Sequence, residues 1–394
     1  MKKLCHTSST AVNPSLFSGP STKETRELKW RQYARCNKLH IRVRDDLDNF
    51  EQYRYLLEKA VCSWAQDQSL ENYRKKVPLP ELCTVENPTA SDLVTFRPRL
   101  SRAGRPRLDP VMMFKAICLG EMYRLSDEEL AYRCACDETY RLILDLQEGQ
   151  RITRQSIWHY REIFTKYNCF EKIRYTHTRE LEKEGVIPAQ TPLIIDASFV
   201  EVPKQHNTRE ENQLIKEGKG HLLWNDNPHK KRQKDIDASW TKKNGISYFG
   251  FKLHALVEAT SKCIIHCLTT TAKVHDSRML EQMLGDDDKG REILGDSAYY
   301  GRNLLEIIES YGAIPVICEK GYRNKPLSEK QKKDNRKKSK TRCRIEHAFG
   351  FIENSMGGSI VRSIGLVRAA ARQELTVFLY NIARAEQIKR LGIT

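Results

Sequence analysis

Three acidic residues sit in settings where a carboxylate is costly or conspicuous, and together they could hold a metal. Asp196 interrupts the apolar run Pro-Leu-Ile-Ile-Asp-Ala-Ser-Phe-Val (192–200), and Asp296 ends Glu-Ile-Leu-Gly-Asp-Ser-Ala-Tyr (292–299). Glu346 lies in Thr-Arg-Cys-Arg-Ile-Glu-His-Ala-Phe-Gly (341–350), behind a dense basic stretch. A carboxylate in a core strand needs a partner. Three converging acids make an all-oxygen site suited to Mg²⁺, with Mn²⁺ as a substitute. Two such ions about 3.5–4 Å apart activate a water or 3′-hydroxyl and stabilise the leaving oxygen of an in-line phosphoryl displacement. No side-chain nucleophile is then required. Tyr299 and Tyr300, beside Asp296, raise a covalent-tyrosine alternative that leaves the acids without a role. Singly the acids are ambiguous: an Asp within a strand is unusual, an Asp at a strand end is often a cap, and a helical Glu is often solvated.

Composition points to an anionic partner. The 394 residues carry a formal charge of +16 and a pI of about 9.2, which favours nucleic acid over a merely basic surface. A hydrophobic share of 39% is enough for a folded chain of two or three domains. The twelve cysteines include no Cys-x-x-Cys and are scattered through apolar runs, arguing for reduced thiols rather than zinc. The start has no apolar stretch behind its lysines, and Val111–Tyr123 is broken by Lys115 and Glu121. The expectation is a cytoplasmic, nucleoid-associated protein with no membrane partner.

The elements that must position the acids follow from periodicity. Residues 1–40 read as a loose arm, 41–76 as helical with Leu47, Phe50, Tyr53 and Leu57 in register, and the prolines at 78, 80 and 88 as a linker. From 91 to 170 the pattern is helical, with a basic turn at 104–107 and caps at Ser126 and Thr153. Behind Thr153, Ile157, Tyr160 and Phe164 share one face, while Arg154, Trp158 and Arg161 share another. The second face either enters a DNA groove, as in a helix-turn-helix, or is an ordinary solvated face. From 191 the period changes, predicting strands at 193–200, 246–259, 262–271, 292–298 and 313–318. Helices are predicted at 276–284, 304–311, 341–353 and 374–390, the last with Leu375, Phe378, Leu379 and Ile382 as its stripe. This mixed α/β order fits an RNase H-like core preceded by an all-helical region.

Residues 320–344 carry twelve Lys or Arg against Glu329 and Asp334, a density that predicts a mobile loop folding onto phosphates. A second cluster, Lys230 to Lys234, is flanked by Trp224 and Trp240, which either stack on an unpaired base or are buried. Lys252 and His254 share one side of their strand. His254 and His275 either donate to phosphate or make structural hydrogen bonds, and Asp276 is placed to cap the helix behind it.

Several blocks resemble the transposases of insertion sequence family five, within the DDE group. They are "DASFVEVPKQHNTREEN" (196–212), "QKDIDASWTKKNG" with "YFGFKLHALVEA" (233–259), "TTTAKVHDSRMLEQML" (269–284), "GDSAYYG" (295–301) and "NRKKSKTRCRIEHAFGFIENSMGG" (335–358). The likeness covers roughly residues 91–390. It implies that Asp196, Asp296 and Glu346 are catalytic metal ligands. It further implies that Arg342, one helical turn before Glu346, belongs to the glutamate region. The implied reaction is Mg²⁺-dependent cutting at the element's terminal inverted repeats, followed by attack of the freed 3′-hydroxyl on target DNA. Arg154, Trp158, Arg161, Lys252, His254, Arg342 and Arg344 are the candidate contacts to double-stranded DNA. One position departs from the family pattern, which has a basic residue seven places after the glutamate. Here it is Glu353, leaving Lys252, Arg344 and Arg362 as candidate substitutes.

The expected organisation is an arm and charged helical segment (1–90), a helix-turn-helix-like DNA-binding domain (91–180), an RNase H-like catalytic domain (191–360) and a C-terminal helix packed on the core (361–394). A homodimer is expected because two element ends must be brought together. The alternatives are an inactive transposase-derived DNA-binding protein and an RNase H-fold nuclease or resolvase.

Overall fold

The computed structural model describes residues 49–71, 107–243, 245–323 and 325–392. The arm at 1–40, Leu47, the prolines at 78–88 and residues 104–106 of the basic turn lie outside the described residues.

A 3-10 turn at Asn49–Tyr53 leads into helix α1 (Arg54–Glu71). Among the described residues five helices follow: α2 (Pro110–Met122), α3 (Asp127–Cys136), α4 (Glu138–Ile143), α5 (Arg154–Lys166) and α6 (Cys169–Lys183). Local chemistry sets their starts. Asp109 accepts from the Met112 amide at 2.9 Å, with Pro110 in the first helical position. Ser126 accepts from the Glu129 amide at 3.1 Å and Thr153 from the Ser156 amide at 3.2 Å. The Glu129 carboxylate turns to Arg133 at 3.3 Å. α2 is apolar nearly all round and is enclosed by its neighbours, as such a helix must be. Ile157, Tyr160 and Phe164 are buried on the face their spacing predicts.

Among the described residues six strands form one mixed sheet: β1 (Leu193–Glu201), β2 (Ser239–Lys243), β3 (Ile246–Glu258), β4 (Ile264–Thr271), β5 (Glu292–Gly295) and β6 (Ile314–Ile317). The order is β4-β3-β1-β5-β6, with β3 antiparallel to both β1 and β4, and β1, β5 and β6 mutually parallel. β2 pairs with residues 246–250 of β3, ahead of the stretch that takes β4. This is the RNase H-like arrangement that the order of elements predicts. The insertion between β1 and β3 carries two short helices, α7 (Arg209–Lys216) and α8 (Pro228–Gln233). α9 (Leu280–Met283) and α10 (Arg302–Ser310) lie between the later strands, and α11 (Glu329–Arg342), α12 (Arg344–Asn354) and α13 (Leu366–Leu391) complete the chain.

One face of the sheet (Ile194, Val200, Phe251, Leu253, Ala255) shares a core with α2, α12 and α13. The other face (Leu193, Ile195, Leu256) packs on Leu280, Met283, Tyr299 and Ile308. α13 joins the helices to the sheet. Its Phe378 ring lies 5.5 Å from Phe50 and 6.0 Å from Phe114. Its buried Asn381 accepts from the Ile264 amide at 2.9 Å and donates to the Ile264 carbonyl at 2.8 Å, tying α13 to β4. An unpaired amide there would be expensive, so both bonds are needed.

Two stretches depart from expectation. β5 stops at Gly295, three residues early, because Asp296 turns the chain into a 3-10 turn at Ser297–Tyr299. The basic stretch predicted as a mobile loop is largely helix α11. Ser328 and Gln331 form a reciprocal capping box, and Asn335 bonds both the amide and the carbonyl of Glu319, at 2.9 and 3.0 Å. Lys338 donates to the Ile317 carbonyl at 2.8 Å. Lysine and arginine are good helix formers, and a solvated helix fans their charges apart. Among the described residues no helix is long and apolar enough to cross a membrane.

Candidate active site

The sheet places Asp196 and Asp296 level with each other. β1 and β5 run parallel, with Leu193 opposite Ile293 and Ile194 opposite Leu294. Asp196 lies two residues beyond the second pair, and so does Asp296. Adjacent strands are about 4.8 Å apart, so the two backbones approach to near that spacing. Gly295 makes the approach possible: a Cβ there would meet Ile317 at 2.9 Å, Tyr299 at 3.1 Å and Ile195 at 3.2 Å. Asp296 also caps its own turn, accepting from the Ala298 amide at 2.8 Å.

Asp196 shares the face of β1 that α12 crosses. One of its oxygens accepts from the Ala197 amide and the other from Arg342, each at 2.8 Å. Burial pushes its carboxyl above the usual range and the charge of Asp296 adds to that. The Ala197 amide, Arg342 and Lys243 pull it back. Lys243 closes β2, and its ammonium lies 5.7 Å from the Phe199 ring. Sequence spacing gave no sign of Lys243, because only the β2–β3 pairing carries it there. Gly250 pairs with both Ser239 of β2 and Glu201 of β1; at φ 149°, a Cβ there would lie 2.2 Å from the Val200 carbonyl, so the close approach of β1 to β3 depends on it.

Glu346 is exposed in the first turn of α12. The chain bends between α11 and α12 at Cys343, where the Glu346 amide bonds back to the Cys343 carbonyl at 3.1 Å. Arg342 and Glu346 therefore sit on two helices rather than one. Among the described residues no three His, Cys, Asp or Glu side chains gather closely enough to hold a metal. The aspartate pair by itself fits a hard cation: short carboxylates, one raised by burial and by its neighbour, with Arg342 supplying positive charge. Tyr299, which follows Asp296 closely, is fully buried with an unpartnered hydroxyl. Burial, then Asp276, Asp196 and Asp296, push its phenol well up.

The other candidates divide. Lys252, considered as a DNA contact, is buried, bonding the Val274 carbonyl and Asp276 at 2.8 Å each. His254 is fully buried against Thr270 at 2.8 Å, and burial lowers its imidazole to about 4. Both side chains are enclosed by these partners in the free protein. His275, rather than Asp276, caps the turn that follows it, accepting from the Ser277 amide at 3.3 Å. Arg161 is clamped to Asp127 on α3 (2.9 Å for one of its two bonds), whereas Arg154 and Trp158 are exposed on α5. Arg344 is exposed and donates to the Ala259 carbonyl at 3.0 Å. Trp224 is buried, its indole donating to Glu211 at 2.6 Å; Trp240 is half exposed. Glu353 is exposed, and its carbonyl accepts from Arg124 at 3.0 Å.

An acid pair on the central strands of an RNase H-like sheet is the setting of metal-dependent phosphoryl transfer. Residues 188–382 match the family described as Transposase DDE domain, whose members depend on divalent metal, and residues 70–162 match Transposase domain (DUF772). The chain is a DDE-type DNA transposase. It is 25% identical over 262 residues to the transposase for insertion sequence element IS1106 of Neisseria meningitidis serogroup B, covering 66% of this chain and 85% of that protein. It is a transposase of the insertion-sequence kind. Among solved structures it is loosely similar to the piggyBac transposase synaptic complex with hairpin DNA, at 11% identity and a TM-score of 0.38 over 76% of this chain and 71% of that one. A pre-cleavage Mos1 transpososome gives 8% and 0.19 over 88% and 98%.

Proposed function

We propose that this transposase binds the terminal inverted repeats of its element, cuts at their ends and joins the freed 3′-hydroxyls to target DNA. The observation that carries the reading is the register of β1 and β5, which sets Asp196 beside Asp296 within a DDE domain. These two acids and Glu346 hold Mg²⁺, as two ions, with Mn²⁺ able to replace it. Bound there, the metal supplies positive charge at the reacting phosphate and makes a water or 3′-hydroxyl more acidic.

The chain's own groups do the rest. Asp196 and Asp296 are fixed by the sheet and by the Ala197 and Ala298 amides, so the site is organised before DNA arrives. Arg342 balances Asp196 in the free protein and would be free to hold a DNA phosphate beside the acids once they were otherwise neutralised. Glu346 enters the set from the first turn of α12, beside the bend at Cys343 that lets the two helices adjust. Arg154 and Trp158 on α5 face the repeat DNA, with residues 91–180 as the DNA-binding domain, 191–360 as the catalytic domain and 361–394 as the helix that closes the core. Arg161 orients α5 through Asp127. Two copies act together because two ends must be joined. Membership of insertion sequence family five, and a cytoplasmic place at the nucleoid, complete the reading.

The test is a supercoiled plasmid carrying the repeats that flank the gene, incubated with protein with and without Mg²⁺. Nicks at the repeat ends and joined products that require metal support the proposal. Cutting without end preference or joining would replace it with the nuclease reading.

A further inference from the structure

We propose that the turn between β3 and β4 is a DNA-phosphate site built by Lys262, Arg344 and Arg384. The proposal rests on the transposase reading and adds a second anchoring point for the DNA beside the acids. Three elements send a cation to this one turn. Lys262 belongs to the turn itself, held in the left-handed region at φ 64°. Arg344 opens α12 and donates to the Ala259 carbonyl at 3.0 Å. Arg384, on α13, donates to the Ser261 carbonyl at 2.6 Å. The Tyr380 hydroxyl fixes the turn from below, donating to the Lys262 carbonyl at 2.8 Å.

None of the three cations forms an ion pair with a described acid. The turn's buried carboxylate, Glu258, is committed to the amides of Thr260 and Ser261 at 2.6 and 2.5 Å. The Lys262 ammonium is pulled below its ordinary range by burial, then by Arg384 and Arg344. Like charges gathered this way with no acid paired to them repel each other, and a bound anion reduces the penalty. Two forked guanidiniums and an ammonium suit phosphate oxygens in particular.

The place suits DNA. Asp196 pairs with Ala255, and Ala259 lies four residues further along the same strand direction. At about 3.3 Å per residue that is roughly 13 Å, or about four nucleotides' advance along one strand at about 3.4 Å each. The α11–α12 bend spans the same interval, since Arg342 reaches Asp196 and Arg344 reaches Ala259. A backbone held at the turn is therefore led toward the aspartates.

The experiment measures the affinity of the full chain for duplex DNA carrying the repeat, in EDTA, over a range of salt. Lys262→Asn suits the left-handed backbone and removes an ammonium that bonds no described residue. It is expected to lower the slope of log affinity against log salt by about one, equally for repeat and unrelated DNA. Lys262→Arg keeps the wild-type slope, and adding Arg384→Gln to Lys262→Asn lowers it by about two. If Arg384→Gln melts early, the two Lys262 variants decide alone. An unchanged slope in Lys262→Asn, with wild type binding and cutting normally, overturns this site and leaves the transposase reading intact. A wild type that binds no DNA overturns that reading, and this site with it.

Discussion

The Arg342–Asp196 pair is open to a direct energetic test. The two charges meet at 2.8 Å, with 22% of the Arg342 side chain and 19% of the Asp196 side chain exposed. Opposite unit charges 4 Å apart attract by about 4 kcal/mol at an effective dielectric of 20, which sets a ceiling. Residual solvent and the ordering of the arginine reduce this toward the range of about 1.5–3 kcal/mol typical of a charged hydrogen bond. The perturbations are Arg342→Gln, Asp196→Asn and both together, unfolded by urea in EDTA. Arg342→Gln alone leaves Asp196 buried beside Asp296 without its cation, so it should destabilise. Asp196→Asn also removes the repulsion from Asp296, so it should cost less. The coupling energy of the cycle should fall at about 1.5–3 kcal/mol. It should shrink at a pH low enough to protonate Asp196. It shrinks because a neutral acid offers the arginine no charge. The net pH trend of this group runs the other way: burial raises the carboxyl, so its ionisation opposes folding, and its contribution to stability is full below the unfolded value and lost as pH rises through the folded one. With Mg²⁺ added, Arg342→Gln should gain more stability than wild type, because no ion pair has to open first. A coupling energy near zero, or equal gains from Mg²⁺, would refute the idea that Arg342 stands in for metal at Asp196.

Three further outcomes follow from the same structure. Tyr299→Phe removes a buried hydroxyl that has no partner, so stability should hold or rise by about 1 kcal/mol and cleavage should persist within a few-fold; loss of cleavage would revive the covalent-tyrosine chemistry. Lys252→Met leaves the partly buried Asp276 without its cation and should cost about 1.5–3 kcal/mol in a denaturant melt, while leaving the salt dependence of DNA binding unchanged. His254, His266 and His177 are all lowered to about 4, chiefly by burial, so each contributes stability that is present above an unfolded value of about 6.5 and lost as pH falls toward 4. Urea midpoints should decline over that window, and His254→Gln should flatten the decline; a pH-independent midpoint would show that these rings are not neutral and enclosed.

The sheet was largely legible because its strands alternate or run apolar between turn residues, and the change of period at 191 marks where helices give way to strands. β1, α5 and α13 contain the residues that their patterns put there, and β3 stops one residue short, at Glu258. The aspartate at 196 was legible for a physical reason: nothing but function or a partner explains a carboxylate in Ile-Ile-Asp-Ala. α11 is not legible, since charge density alone reads as repulsion. Its capping box at Ser328 and its anchors on Glu319 and Ile317 are decided by local chemistry and tertiary contact. The period-two reading of β3 puts Lys252 and His254 on one side correctly but cannot tell that Val274, Asp276 and Thr270 enclose them. Lys243 and the cations at the β3–β4 turn come from separate elements, and no spacing within one segment reveals them.

The most direct test of the central claim is end cleavage and strand joining on the repeat-bearing plasmid with Mg²⁺, comparing wild type with Asp296→Asn at matched DNA binding. The account predicts end-specific nicks and joined products for wild type. The variant should lose about a hundred- to a thousandfold, the scale of removing a principal charge-stabilising group, with DNA affinity retained. Equal cleavage by both proteins would contradict the assignment of Asp196 and Asp296 as the paired acids of the site.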